Sequence, residues 1–441
     1  MKKKVLATLL AAAMTLSLVA CGEAAEPAAP AAEPAATEAA EAQPAEGDAA
    51  APAESYDLEM WCIATESDSN RHSYEAAIAD VTAAHPEVNF TWEAIENEAY
   101  KTKIKAAVAA DDMPDIFFTW SCAFLGDFVD AGRVYCLDEE YKNWSASLPE
   151  VMTGNTTYNG SHYGVPLTMN IVGLFANMDL LGQVGYTEVP GTYDEFIACC
   201  DKLKEAGIMP FGCAGKETWC VTEYLESVIE KSVGADALND IFLGRATWDN
   251  PDVAAAVDTF QGMVNNGYFD PSGTALSNDE VKQNFIDGKY AFYMNGTWNC
   301  ADFAAAGINC QVAEFPVINA DKATLGQLIG GPSDTLAVAA SSEHAAEAAA
   351  FTFELGKEIC HYGYLDGCGL PAWTPDYDTS SINPLTNAVS DICANAQSYV
   401  LFGDTAQNAD DAATYLDYVS QVYTCDIDGQ GFIEGLAADI R

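Results

Sequence analysis

Basic residues are scarce: 19 Lys and Arg stand against 66 Asp and Glu in 441 residues, a formal net charge of -47. So few cations cannot displace the counterions of a nucleic acid, which excludes nucleic acid as a main partner. Anionic substrates and bare anionic membrane surfaces are disfavoured on the same ground. There are only five histidines, they form no cluster, and no Cys-x-x-Cys occurs, so a zinc site has no ligands to draw on. A Gly-x-Ser-x-Gly elbow, a His-Glu-x-x-His helix and a phosphate-binding loop are missing as well. The expectation is a protein with no cofactor and no metal that is not an enzyme. Glycosidases need two placed carboxylates, and 66 acids offer accidental pairs, but nothing singles one out.

Long apolar runs are also lacking. The one near the start, residues 5–13, follows Lys2, Lys3 and Lys4, and Thr8 interrupts it. A basic start, a short apolar stretch and small residues at its end make a secretory signal, residues 1–20. Leu18-Val19-Ala20-Cys21 resembles the lipobox of bacterial lipoproteins, which implies acylation of Cys21 and attachment to the membrane by that anchor alone. Residues 21–55 follow with Ala, Glu and Pro and no basic residue. That composition cannot bury enough apolar surface to fold, and its prolines interrupt any long helix, so it reads as a tether. The protein is expected on the cell surface, lipid-anchored to the outer face of the cytoplasmic membrane.

Hydrophobic residues make up 49% and aromatics 11% of the chain, enough for a large core in two or three domains. With Cys21 acylated, thirteen cysteines remain, an odd number without repeating spacing. Mostly free thiols packed as small apolar groups are expected. The body alternates in type: residues 56–63 read as a strand, 73–84 as a helix, 87–94 as a strand, 99–110 as a helix and 114–118 as a buried strand. That order predicts an α/β fold around a mostly parallel sheet. Ligands in such sheets sit beyond the carboxyl ends of strands, which points at Thr65, Glu66 and Ser67, and at Thr119, Trp120 and Ser121.

Residues 100–120, with Asp111-Asp112-Met113-Pro114-Asp115 before an aromatic strand, resemble the family 1 extracellular solute-binding proteins. These are the carbohydrate receptors of ABC importers, similar to maltose-binding protein. Four more segments resemble the family in its own order: residues 163–181, 189–211, 285–299 and 315–355. Tyr193 stands where the family usually has Trp. The resemblance covers about residues 56–441. It implies a two-lobe, type II periplasmic-binding-protein-like α/β fold with the ligand cleft between lobes. The boundaries expected are 56–168 with 312–360 for the N-terminal lobe, and 169–311 with 361–441 for the C-terminal lobe. It also implies a mono- or oligosaccharide ligand, ABC permease transmembrane subunits as partners, and a monomer.

A pyranose offers an apolar C–H face for indole and phenol rings and a hydroxyl rim for polar groups. By the resemblance, Trp120 and Trp298 are candidates to stack on it. Asn170 and Asn295 are candidates for the rim, and Gly330 with Gly331 for close backbone approach. Trp373, after Gly369-Leu370-Pro371, and Tyr415 match weaker family positions. Glu66, on the loop after the first strand, and Trp219, ahead of a helical run, complete the set. Core packing is the competing reading for the rings, a simple turn for Asn295 and the glycines, and a solvated charge for Glu66. Met169 and Trp61 are expected to pack, and Trp92, Trp144 and Trp248 to be structural or on the surface. Asp426-Ile427-Asp428-Gly429-Gln430-Gly431 imitates a calcium loop, but Ala437 stands at its twelfth position, so a turn before a helix is expected. Against the sugar receptor stand a receptor for a cationic solute such as a polyamine, and a secreted glycosidase or adhesin.

Overall fold

The computed structural model describes residues 55–440. The expected export signal, Cys21 and nearly all of the expected tether lie outside them. Strand Tyr56–Cys62 turns Leu58, Met60 and Cys62 inward, and the intervening residues face away. For that reason Trp61 is only half buried, packed against the edge of the core. Its indole N–H donates to Glu59 Oε1 at 2.9 Å, and Lys103 Nζ lies 3.7 Å over its ring. Helix Arg71–Ala84, strand Val88–Ala94 and helix Asn97–Ala110 follow, the last burying Tyr100, Ile104, Ala107 and Val108. Strand Ile116–Trp120 begins later than sequence predicts, beyond Pro114 with its missing N–H. It also runs further, because its antiparallel partner Asp334–Val338 pairs all the way to Trp120.

Two sheets carry the two lobes. The first runs Val88–Ala94, Tyr56–Cys62, Ile116–Trp120, Asp334–Val338, Val165–Pro166, its first three strands parallel. The second runs Ser398–Val400, Gln327–Pro332, Thr168–Asn177, Tyr290–Gly296, Met209–Phe211. Its central strand, Thr168–Asn177, is buried at every residue, as a strand covered on both faces must be. Leu167 alone separates the two sheets on the outward pass, and Ser333 alone on the return. The chain therefore re-enters the first sheet at Ser333, not near residue 312. Strands Cys310–Ala313 and Gln327–Pro332 both pair with Thr168–Asn177 in the second sheet. Helix Ala345–Asp366 likewise runs past residue 360 before Leu370–Pro371 pairs with the second sheet.

The thirteen described cysteines are unpaired and eight of them are buried. Burial raises the thiols of these eight, Cys62 to about 12 for example, so these eight remain protonated packing groups. In the segment that imitates a calcium loop, Asp428 caps helix Gly429–Asp439 by accepting the Gly431 N–H at 2.8 Å.

Candidate functional site

Segments from both lobes enclose a cavity of about 670 Å³. The first lobe contributes the loop after Tyr56–Cys62, with Thr65 and Asp68, then Asn97 and Lys101 on helix Asn97–Ala110, and Trp120 at its strand end. The second contributes the start of helix Trp219–Val233, with Trp219 and Glu223, the turn Thr297–Asn299 with Trp298, and Phe402 to Thr405. Asn170, Gly331, Ser333 and Asp334 line it where the chain passes between the sheets. The cavity thus sits at strand carboxyl ends, where parallel α/β sheets leave a crevice.

Three indoles face it, each held by different neighbours. Trp120 meets Phe118 and Phe124 edge-on at 5.0 and 5.1 Å, and Lys101 Nζ lies 5.2 Å over its ring. Trp298 lies 6.2 Å from Trp219 and 6.4 Å from Phe402. Behind Trp298, Gly296 leaves no room: a β-carbon there would fall 2.1 to 2.3 Å from three ring carbons. The polar lining is under-used. Asn97 Oδ1, Trp219 Nε1, Glu223 Oε2 and Ser333 Oγ are buried and have no hydrogen-bond partner, and all four residues line the cavity. Unpaired buried polar atoms cost stability until a ligand or water satisfies them; six others lie on described residues outside the cavity.

Carboxyl groups dominate the electrostatics. Burial, reinforced by the neighbouring Asp68, pushes the Asp334 carboxyl up to about 7. Burial also raises Asp68 and Glu217. Glu223 is raised well above the usual range, first by burial and then by Glu226 and Asp404. Asp404 is raised by burial although Lys101, 3.9 Å away across the cleft, opposes it. A second interlobe contact lies nearby. Lys282 Nζ donates to Ser67 O at 3.1 Å and to Asp302 Oδ2 at 2.7 Å, and Ser69 Oγ donates to the same carboxylate at 2.8 Å.

Of the residues expected from sequence, Thr65, Ser67, Trp120, Asn170, Trp219, Trp298 and Gly331 line the cavity. Asn170 has its amide engaged there: Nδ2 donates to Cys368 O at 3.2 Å, and Oδ1 accepts from Thr297 Oγ1 at 3.0 Å. The others lie elsewhere. Glu66 is exposed and pairs with Arg71 at 3.1 Å. Asn295 is buried beneath the site, where Oδ1 accepts from Asn299 Nδ2 at 2.9 Å and Nδ2 donates to Asn278 at 3.3 Å. Gly330, at φ 130°, is pressed onto Asn170: a β-carbon would lie 2.3 Å from its carbonyl oxygen. Trp373 packs in the first-lobe core, its indole N–H donating to Pro166 O at 2.8 Å. Tyr415 is buried against Trp248, and its hydroxyl donates to Glu226 Oε1 at 3.0 Å. Because Gly403 N–H donates to that same oxygen at 3.1 Å, Glu226 ties the wall that carries Asp404 to the helix beneath. Sequence reasoning missed Lys101, Glu223, Asp334 and Asp404. Asp334 alone had a signal, three residues beyond Gly331.

Residues 67–352 match the family described as bacterial extracellular solute-binding protein. A structure solved in work on xylan utilization by the thermophilic bacterium Caldanaerobius polysaccharolyticus is 32% identical, with a TM-score of 0.84, over 88% of this chain and all of that one. A chitin oligosaccharide binding protein shares the fold at TM-score 0.80 and 21% identity, over 87% of this chain and 98% of its own. The multiple sugar-binding protein of Streptococcus mutans is 23% identical over 82% of this chain and 85% of its own length. A Mesorhizobium japonicum protein named "probable sugar-binding periplasmic protein" is 28% identical over 47% of this chain; the match spans half of that relative.

Proposed function

Because the chain belongs to the bacterial extracellular solute-binding proteins, we propose that it captures a mono- or oligosaccharide by closing its lobes and delivers it to the transmembrane subunits of an ABC permease. One observation carries the reading. Three indoles and four unpartnered buried polar atoms converge on one cavity between the lobes. Rings supply stacking surface for a sugar's C–H face, and the idle donors and acceptors suit its hydroxyls. The volume, about 670 Å³, lies within the range of small-ligand sites. The names of the relatives support a sugar and favour neither a polyamine nor a glycosidase or adhesin. The chain passes between the lobes at Leu167, at Ser333 and again between Asp366 and Leu370, and these crossings serve as the hinge. A ligand closes them only as far as it gains contacts in the closed state.

The receptor works without chemistry on the sugar. It acts as a monomer outside the cell, held by an acylated Cys21 on its tether. No helix among the described residues is long and apolar enough to cross a membrane. A thermal-shift screen of the purified protein against a panel of mono- and oligosaccharides tests the reading, because a ligand of the folded state raises its melting temperature. At least one sugar should raise it, and chromatography of that mixture should return the sugar intact. A panel without any response, or release of new reducing ends, refutes the proposal.

A further inference from the structure

The cavity is matched to donors far better than to acceptors. Among the described residues, eight carboxyl-bearing ones line it against two lysines and no arginine. Of the lysines, Lys101 is already engaged, 3.0 Å from Glu98 and 3.9 Å from Asp404. Lys216 has Glu217 beside it in the lining. Several carboxyl oxygens have spare capacity. Glu223, only 1% exposed, leaves Oε2 without a partner among the described residues, and Asp334 has the like-charged Asp68 as a neighbour. Such a wall can accept hydrogen bonds from hydroxyl or ammonium groups. It has few free donors for a carboxylate, which would enter as a further negative charge.

Resting on the glycan reading above, we propose that the cleft selects by charge within that class, taking neutral or amino-bearing sugars and rejecting sugars that carry a uronate. The residues responsible are Asp68, Glu217, Asp334 and Asp404, which line the cavity with the indoles and would face any acidic substituent. The neutral and amino-bearing cases share one chemistry, donation to these oxygens. A uronate reverses it.

Matched pairs decide the matter by isothermal titration of the purified protein at pH 7.5. The pairs are cellobiose with cellobiouronic acid, xylotriose with glucuronic acid-substituted xylotriose, and chitobiose with its de-N-acetylated diamine. In each pair that responds, the uronate should bind about tenfold or more weakly than its neutral partner, as a like charge held near 4 Å in a partly dry site implies. The diamine should bind at least as well as chitobiose. Raising the salt to 0.5 M, or the double variant Glu217→Gln with Asp404→Asn, should narrow the gap. A uronate that binds as tightly as its neutral partner overturns charge selection and leaves the glycan reading standing. Silence from all neutral, acidic and amino sugars, in this set and in the wider panel, removes both.

Discussion

Gly296→Ala is the sharpest available probe of the stacking surface. Its backbone, at φ -60° and ψ 148°, suits alanine, so the main chain has no reason to change. The new methyl would lie 2.1 to 2.3 Å from three carbons of the Trp298 ring. Carbon atoms settle at about 3.5 to 4 Å, so the indole must retreat by roughly 1.5 Å, and its way out is toward the cavity. A stacked sugar then loses its seat. The surface of one ring face, about 50 Å² at roughly 25 cal/mol per Å², contributes about 1 kcal/mol. Specific ring contact adds another 1 kcal/mol or so. Their sum of about 2 kcal/mol corresponds to roughly 30-fold weaker binding. Calorimetric titration with a sugar found in the screen reads the affinity, and near-ultraviolet circular dichroism reports the shifted indole. A Gly296→Ala variant with altered dichroism and undiminished affinity would sink the assignment of Trp298 as a stacking ring.

Trp219→Phe keeps a ring in the cavity and removes an unpartnered donor. Ligand-free protein should melt slightly higher, while sugar binding weakens by about five- to tenfold; a change of the same sign in both would show that Nε1 never meets the ligand. Asp334→Asn tests the acidic wall through pH. Below about pH 4 the carboxyl is protonated whether folded or not, and it costs nothing. Between about pH 4 and 7 the unfolded chain releases a proton that the folded one keeps, so stability falls as pH rises, and above about 7 the cost is complete. The variant should therefore melt higher than wild type at pH 8, by up to about 4 kcal/mol shared with the coupled Asp68. The gain should fade by pH 4; a gain independent of pH contradicts the titration. Lys282→Ala removes the bridge to Ser67 O and Asp302. Ligand-free protein should show a larger radius of gyration by X-ray scattering and about two- to fivefold weaker binding, as one partly exposed ion pair implies. Identical scattering from both proteins would leave that bridge without a role in lobe closure.

The alternation of strands and helices from Tyr56 to Trp120 was legible because Leu58, Met60 and Cys62 repeat every second residue, whereas Tyr100 and Ile104 repeat at helical spacing. Indoles next to strand ends, Trp120 and Trp298, were legible for a related reason: local sequence announces where a strand stops. Charged lining was not. Lys101 lies on an ordinary amphipathic helix and Glu223 on one buried on all sides, and only the packing of one lobe opposite the other turns them toward a shared space. Trp373 and Tyr415 were misplaced by the same blindness. A ring in a late segment gives no hint whether it closes a core or borders a cleft, and each closes a core, with its polar atom bonded to Pro166 O or Glu226. The return crossing lies later than the sequence suggests because residues 310–332 contain strands whose partner, Thr168–Asn177, lies far away in sequence.

The placement of strand Asp334–Val338 governs how the protein is made. It lies between Ile116–Trp120 and Val165–Pro166, so the first sheet stays open until residue 338 has emerged. By then every strand of the second sheet except Leu370–Pro371 and Ser398–Val400 has already been synthesised. The lobe begun first is therefore finished late, and its unfilled gap between two strands remains an invitation to mispairing throughout synthesis. A chain cut between the lobes does not yield a smaller working half, because an interior strand of its first sheet is encoded downstream.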